Sequence, residues 1–241
     1  MARRKNSKNV SGIGADPFGS KIILKSKELT DNQKKFLKLT LNDNTNIIFI
    51  GGPAGSTKTY ISVYAALRQL QSHDNLDLLY VRTAIESAEK GLGALPGNIE
   101  EKFNPYMAPL EDKLTEILPR TTSIKRELLE SRRVQAMPIN YLRGANWNNK
   151  IVIADESQNF SFKELVTLIT RIGKGTKLFV CGDFMQSDIN GKTGFNEMFD
   201  LFNDQESKDK NIYCFKFTHE DIKRSQILKY IIYKLQRKLS V

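Results

Sequence analysis

The chain is poor in residues that cross-link or ligate. Of its 241 residues two are cysteine (Cys181, Cys214), two are histidine (His73, His219) and one is tryptophan. Both cysteines fall in apolar runs, which suits small core residues in a reducing compartment better than a disulfide. Two histidines leave little for a Cys/His zinc site. No run approaches the roughly 18 apolar residues of a membrane span. The basic start Met1-Ala2-Arg3-Arg4-Lys5 is not followed by the apolar stretch of a secretory signal. The expectation is a cytoplasmic protein with no membrane partner. A hydrophobic content of 40% with 27% charged residues fits one large globular domain with a sizeable core.

Acid is scarce at the two ends. Residues 1–30 net +5 and residues 222–241 net +6, while the 191 residues between them net −1, within an overall charge of +10. Basic ends on a neutral body suit contact with a phosphate backbone; a solubilising tail and a solvated helix face would look the same.

Residues 1–26 mix Lys, Arg, Asn, Ser and Gly with few apolar positions and read as a mostly disordered tail. Thr30-Asp31-Asn32-Gln33 has capping-box spacing and opens a helix. Apolar runs at 47–50, 77–82, 151–154, 177–181 and 212–217 read as strands, and 58–71, 100–118, 162–173 and 195–203 as helices. The alternation predicts an α/β fold with a mostly parallel sheet covered on both faces, whose site lies at the carboxyl ends of the strands. The long segment 83–150 reads as an insertion after the second strand, with a Gly/Pro-rich loop, a helix and a small hairpin near 122–139. Residues 27–221 then form a single domain. Residues 222–241 form a basic amphipathic helix packed on it.

Three stretches carry chemistry. Gly52-Pro53-Ala54-Gly55-Ser56-Thr57-Lys58-Thr59-Tyr60 follows the strand Ile47–Ile50 and opens a helix. Backbone N–H groups of such a loop wrap phosphates, Lys58 reaches the β- and γ-phosphates, and the Thr59 hydroxyl ligates Mg²⁺. Gly52 and Gly55 permit tight turning. Thr57 stands where the motif has its second glycine. If that position needs a positive φ, a β-branched residue there is strained by about 1–3 kcal/mol. Asp155-Glu156, directly after a strand, supplies a carboxylate for Mg²⁺ and a second one to activate water. Gly182-Asp183-Phe184-Met185-Gln186 follows the neighbouring strand and offers Gln186 as the group that senses a γ-phosphate.

On these residues the chain resembles the PhoH-like P-loop ATPases, whose core is similar to the first RecA-like domain of superfamily 1 helicases. The matching stretches are GPAGSTKTY (52–60), VRTAIESAEKGLGALPGNIEEKFNPY (81–106), PINYLRGANW (138–147), IADESQNF (153–160), LITRIGKGTKLFVCGDFMQSD (168–188) and DIKRS (221–225). The resemblance implies a three-layer RecA-like fold and ATP held by the loop. It also implies Mg²⁺ at Thr59 and Asp155, and hydrolysis through Glu156 and Gln186. It likens Gln33 to the adenine-reading glutamine ahead of the first strand, although Gln33 already serves as a cap. Departures from the family pattern are Thr57, Thr83 in place of a usual proline, and one extra residue between Glu89 and Leu95.

Superfamily 1 motors close a second RecA-like domain over ATP. A chain of 241 residues is expected to have no room for one, which points to an arginine from a neighbouring subunit; Arg143, Arg171, Arg224 and Arg82, in that order, are the candidates for this finger or for a sensor, with Arg224 at the nucleotide. A homo-oligomeric ring, a hexamer, is the natural assembly. The leading expectation is a Mg²⁺-dependent ATPase coupled to RNA or single-stranded DNA. The alternative is a nucleotide-gated binding protein with slow or no turnover, motivated by Thr57. A small-molecule kinase fits less well, because the acidic pair with Gln186 points to water as nucleophile. A nuclease has no supporting carboxylate cluster.

Overall fold

The computed structural model describes residues 22–83, 99–121, 123–142, 146–185, 193–223 and 225–239. Six strands form one sheet in the order β3-β2-β4-β5-β1-β6: β1 Ile47–Gly51, β2 Asp77–Arg82, β3 Val134–Pro138, β4 Lys150–Ala154, β5 Lys177–Gly182 and β6 Ile212–Lys216. Every pairing is parallel. The helices are α1 Asp31–Thr40, α2 Lys58–Ser72, α3 Ile99–Ile117, α4 Ile124–Glu130, α5 Phe162–Ile169, α6 Gly194–Leu201, α7 Gln205–Asp209 and α8 Gln226–Leu239.

Successive strand residues point to opposite faces, so the apolar runs split into two cores. Ile48, Ile50, Leu78, Tyr80, Ile151, Ile153, Phe179 and Cys181 face Phe36 of α1, Ile61 and Leu67 of α2, Leu110 and Leu114 of α3 and Leu128 of α4. Ile47, Phe49, Leu79, Val81, Val152, Ala154, Leu178 and Val180 face Leu165 and Leu168 of α5 and Phe195 and Phe199 of α6. Burial on both faces is why these strands are continuously apolar. The register sets Gly51 level with Gly182, and Ala154 with Val180. The loops after β1, β4 and β5 therefore emerge side by side.

Two expectations need correction. The hairpin near 122–139 is instead α4 followed by β3, which extends the sheet as a parallel edge strand beside β2. Its alternating burial, Val134, Ala136 and Pro138 in with Gln135 and Met137 half-buried, suits an edge, where a terminal proline is tolerated. Residues 22–26, counted with the tail, lie against the body: Ile22 is buried, and the Lys25 N–H donates to the Ile117 carbonyl at 2.9 Å. Residues 1–21 lie outside the described residues. The C-terminal helix, expected to pack on the domain, carries exposed apolar residues. Ile227, Tyr230, Ile231 and Tyr233 of α8 are 64, 57, 43 and 45% exposed. Amphipathic spacing announces an apolar face without naming what covers it.

Candidate functional site

The loop between β1 and α2 wraps the amino end of α2. Gly55 turns at φ 77°, and a Cβ at Gly52 would come within 2.8 Å of the Phe217 Cβ, so the backbone there passes too close for a side chain. Ser56 is fully buried and its Oγ donates to the Pro53 carbonyl at 2.7 Å, which fixes the loop from inside. Lys58 Nζ donates to the carbonyls of Gly52 (2.6 Å) and Pro53 (3.0 Å). The ammonium thus lies in the bowl of the loop. With free N–H groups and the positive end of α2 beside it, this bowl is suited to an anion.

The acidic pair lies across β5 from the loop. Thr59 Oγ1 donates to Asp155 Oδ1 at 2.6 Å, and the Tyr80 hydroxyl donates to Asp155 Oδ2. Tyr80 is completely buried. Burial first, then the Asp155 charge, pushes its pKa well up, so the phenol stays protonated as a donor. Arg82 at the end of β2 stands over both acids, with Nε 4.0 Å from Asp155 Oδ2 and Nη2 3.8 Å from Glu156 Oε1. Glu156 is held in left-handed backbone (φ 53°). Its carboxylate accepts from Gln158 Nε2 at 2.5 Å, while Gln158 Oε1 accepts from the Asp183 N–H at 3.0 Å. One buried glutamine therefore links the end of β4 to the end of β5.

These groups line a cleft of about 400 Å³. Its far wall is α3 with Lys27: Pro109, Asp112, Lys113 and Glu116. Tyr60, also on the wall, is 5% exposed beneath Lys27 Nζ, which sits 3.7 Å from the ring centroid and pairs with Glu116 at 2.7 Å. Burial, followed by the Glu116 charge, pushes the Tyr60 pKa up to about 12.

Residues 25–236 match the family described as PhoH-like protein. The chain belongs to this family. A PhoH-like protein of Mycobacterium tuberculosis is 31% identical over 205 residues, 84% of this chain and 56% of the relative. Protein PhoH of Escherichia coli is 31% identical over 201 residues, 83% and 55% of the two chains. The chain thus spans little more than half the length of these family members. Among solved structures, the large terminase of a thermophilic bacteriophage in complex with ADP superposes with a TM-score of 0.50 at 13% identity, over 85% of this chain and 49% of that one. That likeness is one of fold, the RecA-like P-loop architecture.

Of the residues singled out in the sequence, the fold gathers Ala54, Gly55, Thr57, Lys58, Thr59, Tyr60, Asp155 and Glu156 on one cleft. Gly52, Pro53 and Ser56 shape the loop behind them. Gln33 is nearby but does not line the cleft. Its side chain is 2% exposed and bonded to Thr30 and Thr57. Arg171 is not brought there. It follows α5 at the amino end of the sheet, where its carbonyl accepts from Trp147 N, and its Nε is buried. Gln186, Arg143 and Arg224 lie outside the described residues, as does the extra residue between Glu89 and Leu95. Tyr80 and Gln158 were missed, and Arg82 was ranked last. A tyrosine inside an apolar strand reads as core. A glutamine two residues beyond the acids reads as loop.

Proposed function

We propose that the protein hydrolyses ATP with Mg²⁺ and couples turnover to RNA or single-stranded DNA as an oligomeric ring. The observation that carries the hydrolysis is the Thr59–Asp155 contact of 2.6 Å with Glu156 next in sequence; the coupling and the ring rest on the basic ends and on the need for an arginine in trans. A hydroxyl and a carboxylate held together are hard oxygen ligands that fit Mg²⁺, which takes one or two protein oxygens and completes its shell with water and phosphate. Among the described residues no larger His/Cys/Asp/Glu group gathers for a metal, in keeping with that mode. Bound there, Mg²⁺ supplies charge neutralisation for the β- and γ-phosphates.

The chain's own residues do the rest. Phosphate oxygens take over from the Gly52 and Pro53 carbonyls as acceptors for Lys58, and the loop N–H groups donate to them. Glu156, steadied by Gln158, accepts the proton of the attacking water. Arg82 keeps the two acids from repelling each other before phosphate arrives. Gln186 reads the γ-phosphate, and the Asp183–Gln158–Glu156 chain is a route by which its loop can bear on the base. In a ring, Arg143, Arg171 or Arg224 of a neighbour completes the charge around the leaving phosphate, and Arg224 contacts the nucleotide. Arg171 lies at the far end of the sheet from its own cleft, so any action on a nucleotide would be in trans. The basic ends supply contacts to a nucleic-acid backbone.

The test is phosphate release with and without RNA or single-stranded DNA, across ionic strength and protein concentration. Stimulation that fades with salt, and activity that rises more than linearly with protein, support the reading. Unstimulated activity linear in protein, from a species that scatters light as a monomer, overturns the coupled ring.

One observation favours a second reading, a nucleotide-gated binder with slow or no turnover: Thr57 adopts φ 66°, a conformation strained for a β-branched residue. A large rise in turnover on Thr57→Gly would favour it, whereas no change would mean the loop already works.

A further inference from the structure

Thr57 heads α2 at φ 66°, ψ 21° without capping it. Its hydroxyl is engaged elsewhere: Gln33 Nε2 donates to Thr57 Oγ1 at 2.6 Å. The orientation of the Gln33 amide follows from its other partner. The Thr30 N–H, which can only donate, lies 3.0 Å from Gln33 Oε1, so the oxygen faces Thr30 and the nitrogen faces Thr57. Thr30 is fixed in turn, because its Oγ1 accepts from Gln33 N at 3.1 Å and donates to Asp221 Oδ1 at 2.6 Å. Asp221 is 1% exposed and also accepts from Asn32 and the Thr218 N–H, each at 2.8 Å. A polar chain anchored on buried Asp221 and Gln33 thus runs from the end of the domain through the start of α1 to a single side chain of the phosphate loop.

We propose that Gln33 is a positioning residue for the phosphate loop and does not read the base. By donating to Thr57 Oγ1 it holds this residue in its left-handed conformation. It also leaves the hydroxyl proton of Thr57, a cleft-lining residue, to donate to a bound phosphate. A hydroxyl has one proton and two acceptor sites, so accepting from Gln33 does not consume the donor. Thr57 and Gln33 form a matched pair: the threonine adds a donor that glycine lacks, and the glutamine orients it. With both ends of its amide engaged and 2% of the residue exposed, Gln33 has no edge to present to adenine.

The inference rests on the cleft being a phosphate site, and the experiment separates the two. Binding of the β,γ-imido analogues of ATP and GTP with Mg²⁺ is measured by calorimetry for the wild type and for Lys58→Ala, Thr57→Ser, Thr57→Val, Gln33→Ala and Gln33→Ala in the Thr57→Gly background. Loss of binding in Lys58→Ala establishes the phosphate site; retention overturns that reading itself. Given the site, Thr57→Ser should bind within about twofold of wild type. Thr57→Val, which keeps the shape and loses the hydroxyl, should bind about tenfold more weakly. Rescue by serine is what a purely steric role of Thr57 would not give. Gln33→Ala should weaken both analogues about tenfold, leave their ratio unchanged, and change binding less than about twofold once Thr57 is glycine. Valine binding like wild type, or a Gln33→Ala shift in the ATP-to-GTP ratio of more than about fivefold, would overturn the proposal.

Discussion

Replacing Tyr80 with phenylalanine isolates the support given to Asp155. The ring stays in a site with no exposure, so packing is preserved and only the hydroxyl bonded to Asp155 Oδ2 is lost. Hydrogen bonds to charged groups contribute about 1.5–3 kcal/mol. The carboxylate keeps Thr59 at 2.6 Å, but among the described residues its nearest cationic atom is Arg82 Nε at 4.0 Å. Tyr80→Phe should therefore destabilise the protein by about 2 kcal/mol near neutral pH, or about 4–8 °C in melting temperature for a chain of this size. The pH dependence has a defined sign. The native Tyr80 pKa is raised, whereas tyrosine in the unfolded chain ionises near about pH 10. Above that pH the unfolded state binds fewer protons, so stability falls as pH rises. The Tyr80 contribution is complete below about pH 10 and declines by about 1.4 kcal/mol per unit above it. Wild type and Tyr80→Phe should converge near about pH 11.5, where the two effects cancel. Urea unfolding followed by circular dichroism at matched pH values measures both parts. Equal stabilities at neutral pH, or a gap that persists unchanged through the alkaline range, would refute the role given to this hydroxyl.

Gln158→Leu removes the link between Glu156 and the Asp183 N–H. Stability should drop by about 1–3 kcal/mol from the stranded N–H; ATP turnover should fall at least about tenfold with affinity within about twofold, since positioning is lost and not binding. Asp221→Ala removes the shared acceptor of Thr30, Asn32 and the Thr218 N–H and should cost about 1–3 kcal/mol; urea unfolding measures this, and nucleotide binding should weaken with it if Thr57 is held through Thr30 and Gln33. Arg82→Ala leaves Asp155 and Glu156 without their shared cation, so its melting temperature should rise more with added Mg²⁺ than that of wild type, as scanning fluorimetry would report.

The sequence was most legible where one physical cause acts alone. Strands buried on both faces are continuous apolar runs, and β1, β2, β4 and β5 were found on that signal; β6, a half-buried edge strand, was found because Ile212-Tyr213-Cys214-Phe215 is an apolar run as well. β3 was not, because Gln135 interrupts its apolar positions, and its pairing with β2 is set by a partner more than fifty residues earlier. The loop and the acidic pair were legible because their residue types are fixed by chemistry and their spacing is local. Arg82, Tyr80 and Gln158 act across strands, and only the register that sets β2 beside β4 turns a strand tyrosine and its neighbouring arginine toward Asp155. Arg171 shows the converse. Sequence matching gave it weight, but which end of a strand a residue occupies depends on how far α5 runs back along the sheet. Thr57 was legible as a departure, and its strain was anticipated; the glutamine that holds it, from a helix 24 positions earlier in the chain, was visible only as a cap.

Binding of ATP through Lys58 and its turnover through Glu156 are separated by measuring phosphate release and bound nucleotide together in Lys58→Ala and Glu156→Gln. Both should stop phosphate release, and only Glu156→Gln should retain ATP with Mg²⁺. Equal loss of bound nucleotide in the two, or release that survives in Glu156→Gln, would contradict the assignment of these residues.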